Sequence, residues 1–283
     1  MSSPINIPPI SEILKKHGLR PDKGLGQNFL SDPAILEKIC ASAGITDQDL
    51  VLEIGAGLGH LTSHLAGYAR QVIAVELDHR LIPALEETIQ PFGNVQVIQG
   101  DILELDTVQL TGKDEFLVVA NIPYYITSRI IRNLLETEHK PHRIILTIQH
   151  EVAQRICART GRLSLLALSI LMYGDPNLEM RVPAGAFFPV PKVDSAVINI
   201  DIHPEPLLSY PLRDKFFKLI KAGFLHKRKT LRNSLSKGLG WSPVQAAELL
   251  TSASIDPQRR AETLSLEEWL EVTQAYDKIL PGK

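Results

Sequence analysis

Apolar residues bunch into short runs at 50–54, 72–77, 95–98, 116–120, 144–148 and 196–200. Each is four to six residues long, and most have apolar residues at adjacent positions rather than strictly alternate ones. Such runs predict strands covered on both faces. Between several of them, at 33–43, 61–66, 81–89 and 128–135, apolar positions recur at helical spacing. Asp32 followed by Pro33 predicts an N-cap with proline in the first helical position. Alternating strands and helices predict a doubly wound α/β fold around a parallel sheet, with ligands at the carboxyl ends of the strands.

The pattern changes after about residue 201. Pro204, Pro206 and Pro211 mark a linker, and beyond it only helical patterns follow, at 213–224, 230–237, 243–251 and 266–276. The expected organisation is therefore a Rossmann-like α/β domain over 1–203 and a smaller all-α domain over 204–283.

Composition narrows the class. With 283 residues and 44% hydrophobic content, the chain has enough apolar material for a core. Cys40 and Cys157 cannot build a disulfide framework, and no Cys/His cluster has metal spacing, so a reducing cytoplasmic setting and no metal are expected. The longest greasy stretch, 163–173, is interrupted by Ser164 and Ser169, and no signal peptide or membrane span is expected. No exposed heptad points to an oligomer, so a monomer is expected.

Net charge is −2, which excludes a polycation, but the charge is uneven. Residues 213–237 carry nine Lys/Arg and one acid, +8 locally, so the rest sums to −10. A charge run is commonly a solvated helix face. The density at Lys227, Arg228, Lys229 and Arg232 favours instead a surface for a polyanion, held through phosphate contacts.

Three successive strand ends carry candidate chemistry. The first runs Glu53-Ile54-Gly55-Ala56-Gly57-Leu58-Gly59, a glycine turn that opens a helix. Its spacing departs from the G-x-G-x-x-G dinucleotide fingerprint. Together with the nearby Glu53 carboxylate, it suits a cationic nucleoside without a pyrophosphate, and S-adenosylmethionine is such a ligand. The second strand ends at Glu76, where a carboxylate can accept from ribose hydroxyls. The third ends at Gly100-Asp101, where one can accept from an adenine amine.

The fourth strand ends in Asn121-Ile122-Pro123-Tyr124. Methylating an exocyclic amine requires acceptors for its N–H groups, because its lone pair is delocalised into the ring. The Asn121 side-chain carbonyl and the main-chain carbonyl near Pro123 supply such acceptors. The Tyr124 ring can stack on an extruded base. Asn121, Pro123 and Tyr124 are thus the candidate catalytic residues.

These motifs resemble those of the bacterial small-subunit ribosomal RNA adenine dimethyltransferases, a class I methyltransferase family. The resemblance runs from about Lys15 to Ala275. It takes in Gly24-Leu25-Gly26-Gln27-Asn28-Phe29-Leu30, Glu53 to Gly59, Glu76, Gly100-Asp101, Asn121 to Tyr124, Gln149 to Ala153, Phe188 to Ser195 and Lys227 to Asn233. It implies dimethylation of two adjacent adenosines near the 3′ end of small-subunit (16S) rRNA, within an immature 30S subunit. It also implies cofactor contacts at Asn28, Leu30, Gly55, Glu76, Asp101 and Asn121. Phe188 is either part of a target-base pocket or a packed loop residue, and Lys192 beside it is the residue there that can face RNA. Ala56 stands where the family more often has proline, and His150 where it has a basic residue. Rival readings are a large-subunit rRNA methyltransferase on the same scaffold, a non-catalytic assembly factor, and a nicotinamide-dependent oxidoreductase. The 188–195 signature and the length of the helical domain favour the small-subunit enzyme.

Overall fold

The computed structural model describes residues 7–159, 161–226 and 228–279. Its strands are β1 (Phe29–Leu30), β2 (Leu50–Ile54), β3 (Gln71–Glu76), β4 (Val95–Gln99), β5 (Phe116–Asn121), β6 (Arg143–Gln149), β7 (Gly174–Val182), β8 (Phe187–Phe188) and β9 (Ser195–Ile202). The helices of the α/β part are α1 (Ile10–Lys16), α2 (Pro33–Ala43), α3 (His60–Ala66), α4 (Ile82–Ile89), α5 (Thr107–Thr111) and α6 (Thr127–Glu136). They are followed by α7 (His150–Ile156), α8 (Leu165–Leu171), α9 (Leu212–Phe224), α10 (Leu231–Leu239), α11 (Pro243–Ser252) and α12 (Leu266–Ile279).

Seven strands form one sheet in the order β4-β3-β2-β5-β6-β9-β7. The pairs β3/β4, β2/β3, β2/β5 and β5/β6 are parallel. The chain winds outward in both directions from β2 and β5, so these two strands form the topological switch point, where an α/β sheet opens a crevice at its carboxyl end. Both are buried along their length up to Ile54 and Ala120, as their mainly apolar runs require. Asp32 caps α2 by accepting from the amides of Ala34 and Ile35, with Pro33 behind it.

The sheet departs from the expected all-parallel form. β9 pairs antiparallel with β6, from Arg143 opposite Asp201 to Gln149 opposite Ser195. β7 at the far edge carries Asp175, Pro176, Asn177 and Glu179 and shows no strand periodicity. A proline is admissible there because an edge strand need not donate on its open side. β1 and β8 form a separate two-stranded ribbon that pairs Phe29 with Phe188 and Leu30 with Phe187.

The chain divides into two compact units, Met1–Ala153 with Asp175–Ile202, and Gln154–Gly174 with His203–Lys283. The second thus takes in residues 154–174, which lie within 1–203 in sequence. Its α12 buries Trp269, Val272, Thr273 and Tyr276, the i, i+3, i+4, i+7 stripe of a core-facing helix. Trp269 is fully buried and stacks with Phe224 at a centroid distance of 6.1 Å. Trp241 is only half-buried and stacks on Tyr276 at 5.5 Å.

Two glycines permit this packing. A Cβ on Gly223 would lie 2.5 Å from Trp269 Cη2, and one on Gly238 would lie 2.6 Å from Ala222 Cα. Lys215, counted above in the basic run, is buried, with its Nζ donating to Asp277 Oδ1 at 2.6 Å. It therefore belongs to the interior of the unit and not to its charged surface. Among the described residues, no helix is long and apolar enough to cross a membrane.

Candidate active site

After Ile54 the chain turns through Gly55, Gly57 and Gly59, at φ 77°, 58° and 86°. A side chain is strained in that region, and space is short as well. A Cβ on Gly57 would lie 3.1 Å from the Phe29 ring, and one on Gly59 3.0 Å from Leu85 Cδ1. The amides of the turn are largely consumed inside the protein. Gly55 N and Ala56 N donate to Val75 O at 2.8 and 3.2 Å, Gly59 N to Ala56 O at 3.0 Å, and Gly57 N to Glu76 Oε2 at 2.7 Å. A loop whose amides point back into the fold offers no nest for a pyrophosphate.

The turn opens on a cleft of about 840 Å³, its open mouth included. Asn28, Gly55, Glu76, Asp101, Asn121, Pro123 and Tyr124 all line it, so residues spread over almost a hundred positions of sequence converge there. Glu76 is buried, and its Oε1 accepts from Asp78 N at 2.8 Å. With Gly57 N on Oε2, each carboxyl oxygen has one fixed partner and retains acceptor capacity. Burial pushes the Glu76 carboxyl above the usual range, against the pull of these amides. Asp101 is held in the same manner, its Oδ1 accepting from Leu103 N at 2.9 Å.

Glu53 corrects one expectation. It is fully buried, neither carboxyl oxygen accepts from a backbone amide, and it does not line the cleft. Burial pushes its carboxyl up to about 8, with the neighbouring Glu76 adding to the effect. At neutral pH Glu53 is mainly uncharged, so it offers a cation little.

Asn121, at the end of β5, donates from Nδ2 to the main-chain carbonyl of Asn28 at 3.1 Å. That contact fixes the amide, since the reverse orientation would set oxygen against oxygen. Oδ1 is left as the acceptor. The Pro123 carbonyl accepts from Ile126 N at a long 3.3 Å, which leaves a second lone pair. Tyr124 opens a turn of 3₁₀ helix, and its hydroxyl pairs with Ser195 Oγ at 2.7 Å. Burial pushes its phenol upward, so Tyr124 stays neutral and its ring is held from the far end.

A family profile described as "Ribosomal RNA adenine dimethylase" matches residues 19–278. The chain belongs to this family. It is 45% identical over 276 residues to the ribosomal RNA small subunit methyltransferase A of Dehalococcoides mccartyi, covering 97% of this chain and 95% of that protein. It is 43% identical to the protein of the same name from Enterococcus faecalis, covering 95% of each. Among solved structures it is similar to the dimethyladenosine transferase of Plasmodium falciparum, at a TM-score of 0.75 and 25% identity over 88% of this chain and 98% of that one. It is also similar to the 23S rRNA methyltransferase ErmE, at 0.73 and 28% over 88% and 100%.

The remaining candidates of this dimethylase-family chain are placed differently. Leu30 is buried in the apolar cluster with Leu36, Ile39 and Phe187, and does not line the cleft. Phe188 is 40% exposed and faces a second depression beside Pro8, His60 and His64. Lys192, Arg228 and Lys229 are exposed. Arg232 is half-buried, with Nε donating to Asn233 Oδ1 at 3.4 Å. Lys227 lies outside the described residues. Among the described residues, no group of three or more His, Cys, Asp or Glu is placed to hold a metal ion.

Sequence reasoning missed Gln27, Tyr125 and Arg80. Gln27 stands within a quoted motif, and Tyr125 directly follows one, so a signal existed for both. Nothing in the sequence marks Arg80, whose partners lie at both ends of a long interval.

Proposed function

We propose that this chain transfers methyl groups from S-adenosylmethionine to the N6 amines of two adjacent adenosines near the 3′ end of 16S rRNA. The product is N6,N6-dimethyladenosine, made in the cytoplasm by a monomer acting on an immature 30S subunit. The observation that carries the reading is Asn121, which lines the cleft with its Nδ2 held by the Asn28 carbonyl and its Oδ1 left as an acceptor. The relatives' names supply the substrate class. The domain over 1–203 carries the chemistry, and the helical domain over 204–283 binds RNA.

The cleft suits the cofactor by its donor set. Glu76 retains lone pairs for a ribose diol, Asp101 has an oxygen for an adenine amine, and the inward-turned amides of the glycine loop leave no place for a phosphate. When bound, the sulfonium supplies an activated methyl group and a neutral thioether leaving group.

Asn121 Oδ1 accepts one N–H of the target amine, and the Pro123 carbonyl accepts the other. Two fixed acceptors on one nitrogen favour its pyramidal form and stabilise the positive charge that develops there. Tyr124, anchored by Ser195, offers a flat face for the extruded base. With the cofactor bound, methyl transfer would leave an extra proton on the nitrogen held by Asn121 and the Pro123 carbonyl, and that proton would pass to water. The second transfer needs only one N–H acceptor and room for one methyl group. On the helical domain, Lys227, Arg228, Lys229 and Arg232 bind phosphates, and Lys192 does so on the α/β domain. Asn28 supports the cofactor from the N-terminal motif, Leu30 anchors that motif in the apolar cluster, and the exposed Phe188 offers a surface for RNA outside the cleft.

The test is label transfer from methyl-labelled S-adenosylmethionine into undermethylated small subunits, with large subunits in parallel and the nucleoside identified. Dimethyladenosine in the small subunit alone is expected. Label confined to the large subunit would move the chain to the activity named for ErmE, and no label in either would remove the catalytic reading.

A further inference from the structure

Residues 22–28 form an irregular strap between α1 and β1 that carries Gly24 and Gly26. The strap covers one wall of the cleft through Leu25, Gly26, Gln27 and Asn28. Gly26 packs against the acceptor motif, since a Cβ there would lie 3.4 Å from both Pro123 and Tyr125. A segment with two glycines and little apolar anchorage gains its position from polar contacts.

Those contacts converge on Asp78, two residues beyond Glu76. Gln27 Nε2 donates to Asp78 Oδ2 at 2.8 Å, while Gln27 Oε1 accepts from Asp22 N at 2.7 Å. Arg80 grips Asp78 with two prongs, Nε to Oδ1 at 2.8 Å and Nη2 to Oδ2 at 2.7 Å. The same Nη2 reaches Asp22 Oδ2 at 3.0 Å, and Asp22 Oδ1 accepts from Gly24 N at 2.8 Å. The Asp78 side chain is 3% exposed, so this pair is shielded from water on its acidic side. A bidentate, shielded pair of this kind exceeds the value of an ordinary surface ion pair. Arg80 holds the Asp78 carboxyl down to about 2, so the acid is charged throughout the working range.

The network touches both halves of the chemistry. Asp78 N fixes Glu76 Oε1, and Asn28, next to Gln27, offers the carbonyl that orients Asn121. We propose that Gln27, Asp78 and Arg80 form a latch that holds the 22–28 strap closed over the cofactor and, through the Asn28 carbonyl, aims Asn121 at the target amine. All three are positioning residues for methyl transfer. The inference rests on the cofactor reading given above. When the latch is open, the strap lifts, S-adenosylmethionine escapes faster and the Asn121 amide loses its reference.

Gln27→Ala and Arg80→Ala test this in the full chain. Each is expected to raise the dissociation rate of S-adenosylmethionine about tenfold, the worth of one good hydrogen bond. Each should also raise KM and lower kcat together, and speed amide exchange at 24–28 more than elsewhere in the α/β unit. Arg80→Lys should recover part of the loss. The double variant should be little worse than either single one, because both open one device. Parent-like dissociation and parent-like exchange at 24–28 in both single variants would overturn the latch. A parent chain that binds no S-adenosylmethionine would overturn the cofactor reading and, with it, the latch's part in methyl transfer.

Discussion

The cleft and the helical unit hold their buried polar groups in contrasting ways. In the cleft, the polar side chains are each oriented by backbone or by a neighbouring group: Glu76 by two amides, Asn121 by a carbonyl, Tyr124 by Ser195. In the helical unit, precision goes into apolar contact around Trp269, and the described cations of its basic run range from buried Lys215, paired with Asp277, through half-buried Arg213 and Arg232 to exposed Arg228 and Lys229. The lesson is that amine chemistry needs fixed directions, whereas polyanion binding needs charge and a surface to carry it.

The largest effect should come from the apolar side of that contrast. Trp269→Ala is expected to cost about 3–5 kcal/mol, the range for emptying a large aromatic site. Denaturant unfolding followed by circular dichroism would show it as a lower midpoint. If the contrast is sound, the affinity of the folded chain for S-adenosylmethionine should not change.

Asn121→Ala should act in reverse, lowering kcat by roughly 10²–10³ while leaving the unfolding midpoint in place. Single-turnover methylation checks the rate. A variant as fast as the parent would remove Asn121 from the reaction.

Glu53 breaks the pattern, since it is a fully buried carboxyl outside the cleft lining that no backbone amide holds. Its folded-state value of about 8 lies above that of an exposed carboxyl. Between the two values the folded chain holds a proton that the unfolded chain has released. Stability should therefore fall as pH rises from about 5 to 8, by at most about 1.4 kcal/mol per pH unit. Glu53→Gln should flatten that slope in unfolding measurements across the same window, and an unchanged slope would show that Glu53 is ionised in the folded chain.

The smallest effects belong to the exposed cations. Arg228→Ala and Lys229→Ala should each weaken RNA binding by a similar amount for any sequence, and lower the salt slope of log K by about 1. Titrations at several salt concentrations measure this directly.

Much of the α/β core was legible from sequence. β2, β3, β5 and β6 are buried on both faces, and continuous runs such as Leu50–Ile54 carry that information locally. The glycine turn, Glu76, Asp101 and Asn121 were legible for the same reason, as each stands at a strand end. What escaped depends on distant partners. β1 and β8 are two residues each and exist only through their mutual pairing. Lys215 was counted as surface charge because Asp277, its partner, is 62 residues away. The residue pattern of the turn announces Glu53 as an anion, but full burial removes the charge. The edge position of β7 permits a polar strand with Pro176, which no periodicity rule would accept.

Gly238, within α10, bears on anyone seeking a hardier variant. Replacing helical glycines with alanine is a routine way to gain about 0.5–1 kcal/mol, through lower chain entropy in the unfolded state. At 238 the added methyl would meet the Ala222 backbone at 2.6 Å, and at 223 it would strike Trp269. Both substitutions should cost stability, so a library assembled on helix propensity alone would select against its own premise at these two positions.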